Sequence, residues 1–360
     1  MCSSDLALGE RLDMAWETLY NHHEVARKAI LGVLATERDD NFLIVDLAHL
    51  LTTLDPKHLE PAAGALSRAN VTANPGGTFH AAANMAALHC GACLPAVLRI
   101  LEIKDADTQI VEHALPIDPD LMLIFTIGHY GDDAIGPVSA TLSSDNCVVR
   151  GNAALALGWL QPPSIPGEIR KMAAADACDE ARSKAWVALG FLDDPYLVRT
   201  ATKRLESSPP ASRIERLGMV HGLGSSFSLA AKEPLAALAS DSDPDVAAGA
   251  KRALLGFDEM EKRMNQVRRE RAGASAQKRS KMIRRLEKAA RDGRIELESG
   301  PEELLTTLTA ADLPLLNRAR AAVLGRLSDE CLYEYYPMMY AARALRGYLA
   351  PSAEPRPARD

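Results

Sequence analysis

Hydrophobic positions along the chain come in short helical blocks, and one kind of block returns. Met85-Ala-Ala-Leu-His-Cys-Gly91 is followed by Leu123-Ile-Phe-Thr-Ile-Gly128, then by Ala153-Ala-Leu-Ala-Leu-Gly158. Trp186-Val-Ala-Leu-Gly190, Val220-His-Gly-Leu-Gly224 and Ala253-Leu-Leu-Gly256 continue the series. The glycines are separated by 37, 30, 32, 34 and 32 residues, and Ala321-Ala-Val-Leu-Gly325 lies 69 residues further on. A recurring period of this size marks a repeat architecture. Each glycine is expected at a helix C-terminus, in the left-handed conformation that only glycine enters without steric cost.

The blocks also carry start signals. Asp145 is placed to cap a first turn, after which Val149, Ala153, Leu155 and Leu157 form a buried stripe. Asp179-Glu-Ala-Arg opens the copy ending at Gly190, and Asp241-Ser-Asp-Pro-Asp-Val places Pro244 at a first helical position. After each glycine come turn residues and a second apolar segment: Val138–Leu142, Ile165–Ala174, Tyr196–Leu205 and Ala230–Ala239. Pro137, Pro166 and Pro234 are expected early in these, where a missing N–H is tolerated. The unit is therefore a helix-turn-helix pair, and the expected class is all-α.

Three stretches carry a likeness to a known family: Val149-Arg150 with Ala153 to Gly158, Ala181-Arg182 with Ala185 to Gly190, and Asp245-Val246 with Ala250 to Gly256. They resemble the HEAT-repeat family, in particular its short bacterial variety related to phycobilisome-lyase repeats. The resemblance implies an α-solenoid of stacked antiparallel helix pairs, wound as a right-handed superhelix, with a concave groove lined by the second helices. It is clear over 78–257. Residues 7–77 read as an N-terminal cap with degenerate repeats, including Trp16, Leu19, Ile30 and Val33. Residues 299–349 read as a C-terminal repeat and cap, with Tyr333, Tyr335, Tyr336, Tyr340 and Tyr348 covering the open end of the core or facing a partner. Residues 350–360, rich in proline, read as a disordered tail. Residues 1–6 read as non-native: codons GTG-TGC-TCT-TCC-GAT-CT would give Met-Cys-Ser-Ser-Asp-Leu and resemble a sequencing-adapter end on a metagenomic fragment. That hexapeptide has neither the basic nor the apolar region of a signal peptide.

Composition sharpens this picture. Ala (59) and Leu (48) dominate the 360 residues, while aromatics are 5%, as close-packed helices require. The net charge of −7 hides a division. Lys262 to Arg294 carries a net +10 and the remainder −17. This segment, within 258–298, is expected as a charged helical hairpin, 258–271 and 276–291, broken at Gly273-Ala-Ser275. Its thin apolar seams are Met260, Met264 and Val267 on one arm, and Met282 or Ile283, Leu286 and Ala290 on the other. Arg268, Arg269, Lys278, Arg279, Lys281, Arg284 and Arg285 are the candidates for meeting an anionic partner, nucleic acid among them. The alternatives are a solvated hairpin or one matched to the acidic remainder of the chain. No aromatic interrupts the run, which disfavours stacking on single strands.

Catalytic signals are sparse. No nucleophile elbow, Walker loop or dinucleotide fingerprint occurs. Asn74-Pro-Gly-Gly77 reads as a turn between helices. Cys90-Gly-Ala-Cys93, preceded by His89, is half of what a structural zinc site needs and coincides with a repeat glycine. The six cysteines suggest no disulfide framework and suit a reducing cytoplasm. His89, His129 and His221 recur near repeat glycines, but at different offsets. His23-Glu24 is the only His-Glu pair of the kind that iron-binding HEAT hydroxylases repeat. Trp159, Trp186 and Arg182 bring to mind the HEAT-like DNA glycosylases, although Trp186 lies in an apolar block. The expectation is a non-catalytic cytoplasmic scaffold that binds a partner protein, without metal or cofactor and of unassigned oligomeric state. Glu168, Arg170, Lys171, Arg199, Lys203 and Arg204 on the second helices are the candidate contacts. A nucleic-acid-associated protein using the hairpin is the alternative, and a lyase- or glycosylase-type enzyme the third reading.

Overall fold

A computed structural model describes residues 21–56, 59–104, 111–112, 115–116, 119–162, 164–208, 210–272, 276–297, 300–324 and 332–347. The hexapeptide 1–6, Trp16, Leu19, Gly273-Ala-Ser275, Gly325, Tyr348 and the tail 350–360 lie outside these residues. The described chain is helical apart from two antiparallel two-residue strands, β1 (Val111–Glu112) and β2 (Leu115–Pro116). None of the described helices is long and apolar enough to cross a membrane. The chain divides into two compact units, 1–127 and 128–360.

The first unit holds α1 (His23–Thr36), α2 (Asn41–Leu54), α3 (Glu60–Arg68), α4 (Pro75–Ala87), the single turn α5 (Leu94–Val97) and α6 (Pro119–Gly128). α2 packs on α4, and α3 on α5. Two successive pairs thus lie side by side. Asp40 and Asn74 cap α2 and α4 by accepting from Leu43 N and Gly77 N. Ile44, Val45, Leu51, Leu66, Phe79 and Met85 fill the space between the helices.

The second unit begins with α7 (Asp132–Ala140), which holds Pro137 in its interior instead of at its start. Then come α8 (Cys147–Leu160), α9 (Pro166–Ala175), α10 (Asp179–Phe191), α11 (Leu197–Leu205), α12 (Arg213–Ser225), α13 (Lys232–Leu238) and α14 (Pro244–Ala272). The first helices α8, α10, α12 and α14 pack in series, and the second helices α9, α11 and α13 form a parallel series. Pro166 and Pro244 stand at first helical positions as expected. The cap of α8 is Asn146, which accepts from Val148 N, and not Asp145.

Most repeat glycines do not occupy the expected place. Gly128 ends α6, but Gly158, Gly190, Gly224 and Gly256 lie inside helices, as does the neighbouring Gly222. A Cβ on Gly158 would come within 2.6 Å of Ala188 Cα. One on Gly190 would strike the Gly222 carbonyl oxygen, and one on Gly222 the Trp186 carbonyl oxygen. Glycine here lets α8, α10 and α12 approach backbone to backbone. The left-handed turns follow about one helical turn later, on Gln161 (φ 56°) and Asp193 (φ 49°); in the first unit the left-handed residue is His89 (φ 51°), two residues before Gly91. After α10, Asp194 N–H donates to Leu189 O and Asp193 N–H to Gly190 O, each at 3.1 Å. This is a Schellman turn built without glycine.

An arginine near the start of each of α8, α10 and α12 ties the pairs together. Arg150 is bidentate to Asp176 at 2.7 and 2.8 Å, Arg182 reaches Glu215 at 3.1 Å, and Arg216 reaches Asp241 at 2.8 Å. Each also donates to a carbonyl five or six residues before it. Glu215 is fully buried and accepts two further bonds from Arg204 at 2.7 and 2.9 Å.

The remaining helices are α15 (Ala276–Asp292), α16 (Pro301–Thr307), α17 (Leu313–Leu324) and α18 (Leu332–Gly347). α15 packs on α17, and α18 on both α16 and α17. Helices cover both arms expected for the hairpin, but the first arm is no separate helix, and the second, α15, packs chiefly on α17. α14 runs unbroken through Gly256 from the last pair into the basic segment. Met264, Val267, Met282, Leu286 and Ala289 are the buried seam. Ala289 takes the place expected for Ala290, which is half-buried.

Candidate binding surface

The second helices present charged side chains in a row. Glu168 and Lys171 on α9, and Arg199 and Lys203 on α11, are exposed. Arg170 and Arg199 sit over the Tyr196 ring, 4.5 and 4.7 Å from its centroid. A guanidinium attracted to the ring's negative face is held out from the helix rather than collapsing onto it. Arg170 also donates to Asp194 at 3.0 Å. Asp194 in turn accepts from Tyr196 N at 2.8 Å, in the turn just before α11. Burial pushes this carboxyl above its usual range, against the pull of both partners. Arg204 differs from the other candidates: it turns inward to Glu215 and is spent on structure.

A cleft of about 360 Å³ opens beside this row. Asp194, Leu197 and Val198 form one wall, and Phe227 and Leu229 another. Arg268, from the basic arm, closes it. The arm and the beginning of the second-helix row α11 therefore border one depression.

Along the arm the candidates separate into two groups. Arg279 pairs with Asp312 at 2.9 Å and Arg285 with Glu303. Arg263 pairs with Glu302, and Arg271 donates to Leu308 O. Burial works against the Asp312 carboxylate, but hydrogen bonds from Thr309 and Arg279 together hold it below its usual range. These four cations are thus matched to acidic or carbonyl groups of α16 and the segment before α17. Arg268, Arg269, Lys278, Lys281 and Arg284 are exposed.

The C-terminal tyrosines resolve in part. Tyr340 packs edge-on against Phe227, with ring centroids 5.0 Å apart, and Arg263 lies 5.2 Å from its own centroid. Side chains of Tyr333, Tyr335 and Tyr336 lie outside the described residues. Arg343, only 5% exposed, donates to Asp193 at 2.8 Å, to Gly190 O at 2.7 Å and to Ser225 O. Arg320 on α17 donates to Gln161. The C-terminal helices thus fold back onto the turns that end α8, α10 and α12, and Tyr340 belongs to that seam.

The expectation of unpaired cysteines is corrected. Cys90 is bonded to Cys93, and Cys147 to Cys178. Cys147 and Cys178 stand at the starts of α8 and α10, one repeat period apart, so stacking itself brings them together. Glu180 offers a carboxylate oxygen within 4.8 Å of both sulfurs. With the sulfurs joined, that oxygen is the only ligand of the three ready for a cation.

Sequence reasoning missed one pair outright. His49 and His80 stack with ring centroids 5.1 Å apart. Burial, followed by repulsion from His80, lowers the His49 pKa. Their spacing is also close to one period, which is the signal that was present. Trp186 is core, as its apolar block implied, and Trp159 is buried too. No protein-family model matches the chain, and no curated protein matches it either.

Proposed function

We propose that this chain is a HEAT-type α-solenoid, a right-handed superhelix of stacked helix pairs, that acts without catalysis as a scaffold for an acidic partner protein. The serial packing of first and second helices supports the architecture. One observation carries the binding role: Lys171, Arg199 and Lys203 remain exposed on consecutive second helices, where the arginines of the first helices are consumed by inter-pair ion pairs. A row of spaced cations on a rigid surface suits an acidic strand or helix face laid across it.

The exposed cations Arg269, Lys281 and Arg284 favour a second reading, association with nucleic acid through the arm. One experiment separates them. Lys171→Glu/Arg199→Glu/Lys203→Glu abolishes stoichiometric co-purification of a partner protein on the scaffold reading, and Arg269→Glu/Lys281→Glu/Arg284→Glu leaves it intact. Steeply salt-dependent retention on duplex DNA or heparin, lost only in the second variant, decides for nucleic acid instead.

A further inference from the structure

The Cys90–Cys93 bond has little structural reason to exist. A cross-link spanning three residues removes far less freedom from the unfolded chain than the 31-residue span of Cys147–Cys178. Its two sulfurs also differ in access. Cys93 is 0% exposed, packed in the core below α5, whereas Cys90 is only partly buried. The local backbone creates this difference. α4 ends in a Schellman turn, with Cys90 N–H donating to Met85 O and His89 N–H to Ala86 O, and His89 takes the left-handed position. The turn sets Cys90 at the surface. A single tight turn, Cys93 N–H to Cys90 O at 2.9 Å, then carries Cys93 inward to face it. The two residues before the partly buried Cys90, Leu88 (47% exposed) and His89, are exposed.

We propose that Cys90 and Cys93 form a thiol–disulfide exchange site, with Cys90 as the attacked sulfur and Cys93 as the resolving one. Its substrate is a dithiol or disulfide of another molecule. In the form seen here, a thiolate of a substrate dithiol attacks Cys90 Sγ. The Cys90–Cys93 bond breaks, and its electron pair leaves on Cys93, which takes a proton. The substrate's second thiolate then attacks its own sulfur in the mixed disulfide, and Cys90 leaves and is protonated. Two electrons and two protons pass from substrate to protein: the substrate dithiol becomes a disulfide, and Cys90–Cys93 becomes a dithiol. The reverse sequence reduces a substrate disulfide with the same atoms.

The test uses the full-length protein and reads each cysteine by peptide mass spectrometry. Reduced Cys93→Ser, exposed to oxidised glutathione or to insulin, should accumulate a mixed disulfide at Cys90. Reduced Cys90→Ser should form one at Cys93 at least about tenfold more slowly, since the buried sulfur is shielded. Adducts with glutathione alone assign a small disulfide as substrate, and adducts with insulin a peptide one. Wild-type protein, which needs no substitution to fold, should interconvert between Cys90–Cys93 disulfide and dithiol in a glutathione redox buffer while Cys147–Cys178 responds separately. Failure of Cys90 to form an adduct with either probe overturns the proposal. So do equal rates at the two sulfurs, or a Cys90–Cys93 pair that stays in one state across the buffer series.

Discussion

Residues that look equivalent in the sequence do different physical work. Gly222 faces the Trp186 carbonyl oxygen, so Gly222→Ala forces backbones apart and should cost about 3 kcal/mol in urea unfolding. Gly256 has nothing within 4 Å of the position a Cβ would take and lies within α14. Gly256→Ala should therefore stabilise by about 0.5–1 kcal/mol, since alanine loses less backbone freedom in a helix. Acid offers a second discrimination. The bidentate bond from Arg150 holds the Asp176 carboxyl below its ordinary 3.8. A carboxylate with a depressed folded-state pKa contributes stability above its unfolded value, and that contribution disappears as pH falls through the folded value. Arg150→Gln should thus lower stability at neutral pH and flatten its decline on acidification, measured as unfolding midpoints from pH 7 down to about 3.

At the scale of elements, the pairs were legible because their signals are local. The apolar stripe, Pro166 and Pro244 at helix starts, and the turn after each block all lie within one helix of the residues they organise. The role of the glycines was not legible. A helix-end glycine and a helix-crossing glycine leave the same trace in a single strand of text, and only the neighbouring pair tells them apart. For the same reason the binding row was readable by position but not by availability: Arg199 and Arg204 both lie on α11, yet Glu215 claims Arg204 from another helix. The seam at α18 was equally hidden, because Arg343 finds its partners 118 to 153 residues earlier. It should nevertheless dominate the attachment of that helix. Arg343→Ala leaves Asp193 without its cation in a mostly buried site, and should cost about 3 kcal/mol. Hydrogen exchange should show α18 opening before α10 and α12 in that variant. Arg343→Lys should not restore protection, since a single ammonium cannot reach both the carboxylate and the two carbonyls.

For the whole second unit, charge is divided by use and not only by sequence. Arg263, Arg271, Arg279 and Arg285 secure the arm to the helices that follow it. The remaining cations set its long-range field. Raising salt should weaken any partner held by Arg269, Lys281 and Arg284 far more than it weakens the fold, because exposed charges are screened and partly buried pairs much less so. Unfolding midpoints and partner affinity, measured across the same salt series, should diverge accordingly. The continuity of α14 has a mechanical consequence. Its 29 residues make a rod about 44 Å long, held near its start by α12 and α13 and towards its end by α16 and the bond from Arg271 to Leu308 O. A rod held at both ends passes rotation along its length. A change in how α14 sits on α12 would therefore reach α16, so a pair of spectroscopic labels on α8 and α16 would work as a gauge of strain within the unit.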